Sequence, residues 1–84
     1  MSKLGRRVYP DKDGNLWLAE GDYGKNLKDN NWYARPFGGH TGGLKEHCVV
    51  EHEDGTITVS PSILIEGYDG QWHGYLEKGV WREA

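Results

Sequence analysis

Residues 56–81 read TITVSPSILIEGYDGQWHGYLEKGVW, a stretch in which apolar runs are separated by residues that favour tight turns. Ile57 and Val59 alternate with polar neighbours, which is the period of two expected of a strand with one buried face. Asp69-Gly70 and Lys78-Gly79 interrupt the β-branched and aromatic runs, and Gly readily supplies the positive backbone angles of a hairpin turn. The stretch therefore predicts consecutive antiparallel strands.

The segment before this stretch extends the same pattern. We expect a strand at 44–52 that Glu53-Asp54-Gly55 joins to a strand at 56–60. Pro61 lacks an amide hydrogen, so it marks a strand end, an edge or a bend. Further strands are predicted at 63–65, 71–77 and 80–81, joined by turns at Tyr68-Asp69-Gly70 and Lys78-Gly79.

The first third of the chain predicts less regular structure. Residues 4–9 and 15–20 flank Pro10-Asp11-Lys12-Asp13-Gly14 and predict a first hairpin. Leu16-Trp17-Leu18 is continuously apolar, so we expect that strand to be covered on both faces. Residues 21–31 are polar and predict a loop or a single helical turn.

A glycine-rich segment follows a short predicted strand, Trp32-Tyr33-Ala34, which Pro36 ends. Residues 37–43 contain four glycines, which indicates either a long hairpin loop or a place where the backbone closely approaches another group. We predict a flexible loop here. Its residues are Gly38, Gly39, His40, Gly42 and Gly43.

The composition fits a single small domain over residues 1–84. The hydrophobic fraction is only 36%, but four Trp, five Tyr and one Phe can each bury a large area. No long amphipathic helix and no internal repeat is found. The predicted fold is all-β, a small antiparallel meander of about six or seven short strands that forms a sandwich or a partly open barrel.

Charge and cysteine content limit the partners and the compartment. The net charge of −3 does not provide the basic field that duplex nucleic acid requires. Cys48 is the only cysteine, so no internal disulfide can form, which favours a reducing compartment. No apolar run reaches membrane-spanning length, and no signal-peptide core is expected from the charged N-terminus. We expect a cytoplasmic protein with no membrane partner.

Histidine and cysteine side chains raise the question of a metal site, for which the candidates are His40, His47, Cys48, His52 and His73. Zinc needs four tetrahedral ligands, commonly paired at close spacing. His47 and His52 would face opposite sides of a regular strand, as would His47 and Cys48. No metal or other cofactor is predicted, although a zinc- or nucleotide-binding module remains an alternative.

No constellation predicts catalysis. Ser60 and Ser62 flank Pro61, where hydroxyls usually bond the local backbone. Cys48 within a strand is expected to be a small buried hydrophobe. Carboxylates such as Glu51 and Glu66 are not placed in a predicted cleft, and no phosphate-binding glycine motif occurs. The chain is predicted not to be an enzyme.

The last aromatic cluster offers a recognition surface. Alternation places Trp72, Gly74 and Leu76 on one face of a strand and His73, Tyr75 and Glu77 on the other. One interpretation is a buried core face and an ordinary solvated face. The other makes the second face a partner-binding patch, because amphipathic aromatics are favoured anchors at interfaces. The predicted partner-binding residues are His73, Tyr75, Tyr68, Glu66 and Asp69.

Residues 44–84 resemble a group of small uncharacterised proteins of tailed bacteriophages. The shared pattern is T-(L/F)-(S/T)-P-S-(I/V), a short turn, and then (C/W)-H-x-(Y/F)-(L/V)-x-x-G-x-(W/I). Many members also carry a Cys-Pro-x-Cys-like segment and a cysteine before the histidine, which suggests a metal site. This chain has neither, because residues 35–40 contain no cysteine and Trp72 precedes His73. The matching residues are Thr58, Ser60, Pro61, Ser62, Ile63, Trp72, His73, Gly74, Tyr75, Leu76, Gly79 and Trp81.

The resemblance implies a bacteriophage protein, and a chain this small without catalytic equipment is expected to act by contact. We therefore predict a non-enzymatic host-takeover or anti-defence inhibitor that binds a host bacterial protein complex in the host cytoplasm. A virion component, such as a decoration or tail-associated protein, is the alternative from another class. Self-association into a homo-oligomer is left open.

Overall fold

Nine strands form within residues 2–67 and 70–84, the part of the chain that the computed structural model describes. No helix in this part is long and apolar enough to cross a membrane. The strands are β1 (Ser2–Leu4), β2 (Arg6–Arg7), β3 (Asp22–Asn26), β4 (Asn31–Ala34), β5 (Gly42–Gly43), β6 (Cys48–Glu51), β7 (Ile57–Gly67), β8 (Gly70–Glu77) and β9 (Val80–Glu83).

The strands form two sheets that enclose one hydrophobic core, so the all-β prediction is confirmed and the arrangement is sandwich-like. The five-stranded sheet has the order β1-β9-β8-β7-β6 and is antiparallel throughout, so β6 to β9 form the predicted meander. The four-stranded sheet has the order β2-β3-β4-β5, and its β2 and β3 are parallel. That parallel pair departs from the expected all-antiparallel arrangement.

The predicted strands of residues 56–81 are largely confirmed, with one difference. Pro61 does not end a strand but lies within β7, where the pairing with β8 shifts register between Val59 and Ile63. It therefore marks an irregularity in one long strand. Lys78 and Gly79 have φ angles of 47° and 76°, as a tight hairpin turn requires. The turn predicted at Tyr68-Asp69-Gly70 falls mainly outside the described residues.

The predicted first hairpin is wrong. Residues 2–7 instead pass from one sheet to the other at Gly5, whose amide donates to Gly79 O at 2.7 Å. Asp11 organises the expected turn by accepting from the amides of Asp13 and Asn15, both at 2.9 Å. The turn closes a loop rather than a strand pair, because the hydrogen bonds of β1 and β2 are directed to β9 and β3.

Residues 8–20 form no strand and cover part of the four-stranded sheet. A Cβ added at Gly24 in β3 would stand 2.9 Å from Leu16 Cδ1, which shows how closely this segment packs on the sheet. Leu16 and Leu18 are half-buried, whereas Trp17 is 72% exposed. The expectation that residues 16–18 are covered on both faces is therefore wrong, since an irregular segment buries only the side that touches the sheet.

The loop or helical turn predicted at 21–31 is also wrong, because β3 occupies its first half. Asp22 is buried at 3% exposure, and its carboxylate accepts from Arg6 Nη2 at 2.8 Å and from the Ala19 amide at 2.9 Å. Tyr23 belongs to the core and lies opposite Ala34 of β4. Long-range partners thus satisfy polar residues that would otherwise favour a loop.

Aromatic side chains join the two sheets at the centre of the core. Trp81 packs edge to face on Trp72, with ring centroids 5.4 Å apart and planes at 88°. Its indole nitrogen donates to Gly21 O at 2.9 Å, which links β9 to the chain entering β3. The buried hydrophobic residues are Tyr23, Ala34, Leu44, Ile57, Val59, Ile63, Ile65, Trp72, Leu76 and Trp81.

Arg7 provides a second connection between the sheets. Its guanidinium lies 4.6 Å from the ring centroid of Tyr9 and 4.8 Å from that of Trp32. Its Nη1 donates to Glu51 at 2.9 Å and to Gly55 O at 2.8 Å. The stacked cation therefore ties β2 to the hairpin between β6 and β7, and such contacts contribute most when the cation is withdrawn from water.

The glycine-rich segment meets the five-stranded sheet closely, which confirms the second of its two predicted roles. A Cβ at Gly42 would stand 2.7 Å from Ile65 Cγ1, so Gly42→Ala is expected to lower the free energy of unfolding by about 1–3 kcal/mol. A Cβ at Gly43 would be 3.5 Å from Tyr33 Cε1, an ordinary contact. Gly43→Ala is the control and should change stability by less than about 0.5 kcal/mol in urea denaturation. Equal effects would contradict the close approach.

Turn carboxylates predict how stability depends on pH. Hydrogen bonds lower the pKa values of three aspartates. The main donor is the Asn15 amide for Asp11, the Tyr33 hydroxyl for Asp29 and the Thr56 hydroxyl for Asp54. A folded-state pKa below the unfolded value stabilises the protein above the unfolded pKa, and this contribution disappears as pH falls through the folded pKa. The melting temperature should therefore fall as the pH drops below about 4.

Matched triple variants separate these groups from the other carboxylates. Replacing Asp11, Asp29 and Asp54 with Asn should make the fall in melting temperature between about pH 5 and about pH 2 smaller. The control replaces three exposed acidic residues that accept no hydrogen bond within the described part of the chain, and it should keep the full fall. An unchanged fall in the first variant would contradict the assignment. The control residues are Asp13, Glu46 and Glu53.

Candidate protein-binding surface

The outer face of the five-stranded sheet presents apolar, aromatic and charged side chains together. Alternation along β8 buries Trp72, Gly74 and Leu76 and leaves His73 exposed and Tyr75 half-buried, as the sequence predicts. On neighbouring strands Leu64 lies opposite His73, and Arg82 lies opposite Tyr75. We call this surface the outer patch. Its residues are Ser62, Leu64, Glu66, His73, Tyr75 and Arg82.

Contacts within the outer patch hold its two rings in place. His73 Nε2 lies 2.9 Å from Ser62 Oγ, and the rings of His73 and Tyr75 have centroids 6.3 Å apart. The Arg82 guanidinium lies 4.9 Å from the Tyr75 ring centroid. It also donates to Glu77 at 2.9 Å, an exposed ion pair that contributes little to stability. Both rings of the outer patch therefore have neighbours within the protein itself.

A shallow groove of about 260 Å³ runs beside Tyr75, where β7 shifts its register. Ser60, Pro61 and Ser62 form one side, and Tyr75, Glu77 and Arg82 contribute to the other. Register irregularities of this kind re-aim side chains and change the local shape of a sheet. The groove gives an otherwise regular sheet face a recess beside an aromatic ring, which a projecting side chain of a partner can enter.

Leu64 and Arg82, which the sequence does not single out, lie beside the predicted binding residues His73 and Tyr75. Leu64 is 53% exposed because it alternates with the buried Ile63 and Ile65. The period of two was available in the sequence, but three consecutive apolar residues disguise it. Glu66 is exposed and lies two residues after Leu64, on the same side of β7. Tyr68 and Asp69, also predicted to bind, lie outside the described residues.

The candidate metal ligands are not gathered into one place. His47 Nε2 lies 3.1 Å from Ser62 O, and His52 Nε2 lies 2.7 Å from Thr58 Oγ1. In residues 2–67 and 70–84, no group of three or more His, Cys, Asp or Glu side chains is arranged to hold a metal ion. Cys48 is exposed, so the expectation of a buried thiol is wrong: β6 points it outward, opposite Ser60.

The glycine-rich loop is tied to the body of the protein by several contacts. The Gly38 amide donates to Glu20 Oε1 at 2.6 Å, and the Gly39 amide donates to Pro36 O at 3.2 Å. The His40 ring packs so closely against Gly67 that a Cβ at Gly67 would overlap it. These contacts place the loop beside the end of β7, and its flexibility stays a prediction.

Ser62 and His73 form a hydrogen-bonded pair that no local sequence pattern predicts. A serine hydroxyl beside an imidazole is the first part of a nucleophilic dyad. Activation also requires a third group that orients the imidazole and donors that stabilise an oxyanion. Within the described part of the chain, no carboxylate bonds the second ring nitrogen of His73. The pair places the imidazole of His73 beside Ser62 on the outer patch.

No protein-family model, curated protein or solved structure matches the chain.

Proposed function

We propose that this protein is a small non-enzymatic binding protein of a bacteriophage, which blocks a host bacterial protein complex in the host cytoplasm by direct contact. The outer patch is the contacting surface. The observation that supports this best is the placement of Leu64, which is 53% exposed, on the same sheet face as the rings of His73 and Tyr75.

The residue composition of the outer patch resembles that of a binding hot spot. Leu64 and Tyr75 supply apolar contact area, while Glu66 and Arg82, with the neighbouring Glu77, supply a polar rim. Binding energy usually concentrates in a few central residues, among which tyrosine and arginine are over-represented. Since His73 and Arg82 already hold Tyr75, fixing its ring in a complex costs less conformational entropy than fixing a free side chain.

Bacteriophage origin is supported by the resemblance of Thr58–Ile63 and Trp72–Trp81 to the tailed-phage pattern. These two segments carry Ser62, His73 and Tyr75 of the outer patch. The same residue types that define the resemblance therefore also build the proposed surface. Interference with a host complex follows as the simplest use of a small contact protein in an infected bacterium.

Affinity capture tests the proposal. The tagged protein, immobilised and incubated with lysate of a bacterial host, should retain one bacterial protein or complex in stoichiometric amount, identified by mass spectrometry. The captured complex should lose its activity when the protein is added. Recovery of the protein in purified phage particles would contradict the proposal and favour a virion component. Retention of the protein only by its own copies would favour a homo-oligomer.

A further inference from the structure

A second recess lies on the opposite side of β8 from the outer patch. It has a volume of about 370 Å³, within the usual range of about 300–1,000 Å³ for small-molecule sites. We call it the aromatic cleft. It is lined by Lys3, Phe37, Trp72, Trp81 and Glu83.

Three aromatic residues form an apolar and preformed wall. Trp72 and Trp81 are fixed by their edge-to-face contact and by the hydrogen bond from Trp81 to Gly21 O. The Trp72 ring lies against Gly74, where no Cβ could fit beside it. Phe37 follows the buried Pro36 and is itself half-buried. Trp72 and Trp81 are 7% and 2% exposed, so the half-buried Phe37 ring is the most accessible aromatic part of this wall.

Two opposite charges border this wall without neutralising each other. Lys3 lies opposite Trp81 in the β1–β9 pair, and Glu83 is two residues beyond Trp81 on the same face. Diagonal neighbours of this kind have backbones roughly 7–8 Å apart. The structure shows no ion pair between these two described residues, and Lys3 Nζ instead lies 5.1 Å from the Phe37 ring centroid. Each charge therefore remains available to a ligand.

We infer that the aromatic cleft binds a small zwitterion that carries an aromatic or bulky apolar group, such as a free aromatic amino acid. The ligand carboxylate pairs with Lys3, its ammonium pairs with Glu83, and its side chain packs on the aromatic wall. A ligand with a single charge meets one attractive and one repulsive group, whereas a zwitterion matches both. This inference is independent of the proposed function of the outer patch.

Three probes of nearly the same size test the charge requirement. They are L-phenylalanine, phenethylamine, which carries only the ammonium, and 3-phenylpropionate, which carries only the carboxylate. Nuclear magnetic resonance titration should show saturable shifts of the Trp72 and Trp81 indole signals with L-phenylalanine. Each single-charge probe should bind more weakly by up to about fivefold, the range expected of an exposed ion pair.

Variants that remove one charge show which residue pairs with the carboxylate of the ligand and which pairs with its ammonium group. Lys3→Gln should abolish the preference for L-phenylalanine over phenethylamine, and Glu83→Gln should abolish the preference over 3-phenylpropionate. Lys3 and Glu83 are exposed, so both variants should keep the wild-type melting temperature. The control is Lys45→Gln, at an exposed position that does not line the cleft, and it should keep both preferences. Absence of saturable shifts, or equal affinity for all three probes, would overturn the inference.

Discussion

Trp81→Ala is expected to lower the free energy of unfolding by about 3–5 kcal/mol. Trp81 is 2% exposed, packs on Trp72 and donates its indole hydrogen to Gly21 O. Its removal leaves a cavity and breaks one of two hydrogen bonds to Gly21 O, which also accepts from the Arg6 amide at 3.0 Å. The free energy of unfolding of a native protein is only roughly 5–15 kcal/mol, so this loss is a large part of the total stability. Urea denaturation followed by circular dichroism measures it.

Trp17→Ala is the matched control, because it removes the same side chain from an exposed position. Trp17 is 72% exposed and makes one hydrogen bond, from its indole nitrogen to Asp11 at 3.0 Å. We expect a loss below about 1 kcal/mol. If the two variants lose similar amounts of stability, or if Trp81→Ala unfolds at the wild-type urea concentration, the aromatic core does not hold the sheets together.

The second large effect is expected in binding. The double variant Leu64→Ala/Tyr75→Ala should weaken binding to the captured bacterial partner by more than about 30-fold, which corresponds to a hot-spot loss of at least about 2 kcal/mol. Both side chains lie on the outer face of the sheet, so the melting temperature should change little. Isothermal titration calorimetry with the purified partner measures the change in affinity.

A second double variant, Leu27→Ala/Tyr9→Ala, removes the same two kinds of side chain from another part of the surface. Leu27 is 67% exposed and Tyr9 is 64% exposed, and neither belongs to the five-stranded sheet. This variant should bind the partner with wild-type affinity. Wild-type binding by the first double variant would show that the outer patch is not the contacting surface.

Local patterns in the sequence were sufficient for the second half of the fold. Alternation along Thr56–Ser60 and Gln71–Glu77 was strong, and Lys78-Gly79 has few conformations other than a tight turn. The burial of Trp72 and Leu76 followed from this alternation alone. His73 and Tyr75 were therefore placed correctly on the outer face, although Leu64 was hidden within an apolar run.

The first half depends on long-range contacts that no local pattern carries. Asp22 is buried in β3 because Arg6 and the Ala19 amide satisfy its carboxylate. The parallel pairing of β2 with β3 joins segments separated by a long irregular connection. Arg7 stacks on Tyr9 and Trp32, an arrangement that requires β2 and β4 to lie in the same sheet.

The two candidate sites also differ in how far the sequence predicts them. The outer patch uses neighbouring strands of a meander, so part of it was visible in the sequence. The aromatic cleft combines residues from both ends of the chain with Phe37, and only the pairing of β1 with β9 brings Lys3 beside Trp81. The positions of Lys3 and Glu83 in the sequence do not by themselves predict that their charges lie close together.

Chemical-shift mapping of the labelled protein, titrated with its captured bacterial partner, shows directly which surface makes the contact. Broadening and shifts confined to Ser62–Glu66 and His73–Tyr75, together with Arg82, are the result expected if the outer patch binds. Shifts confined to the four-stranded sheet and residues 8–20, with the outer patch unchanged, would contradict it.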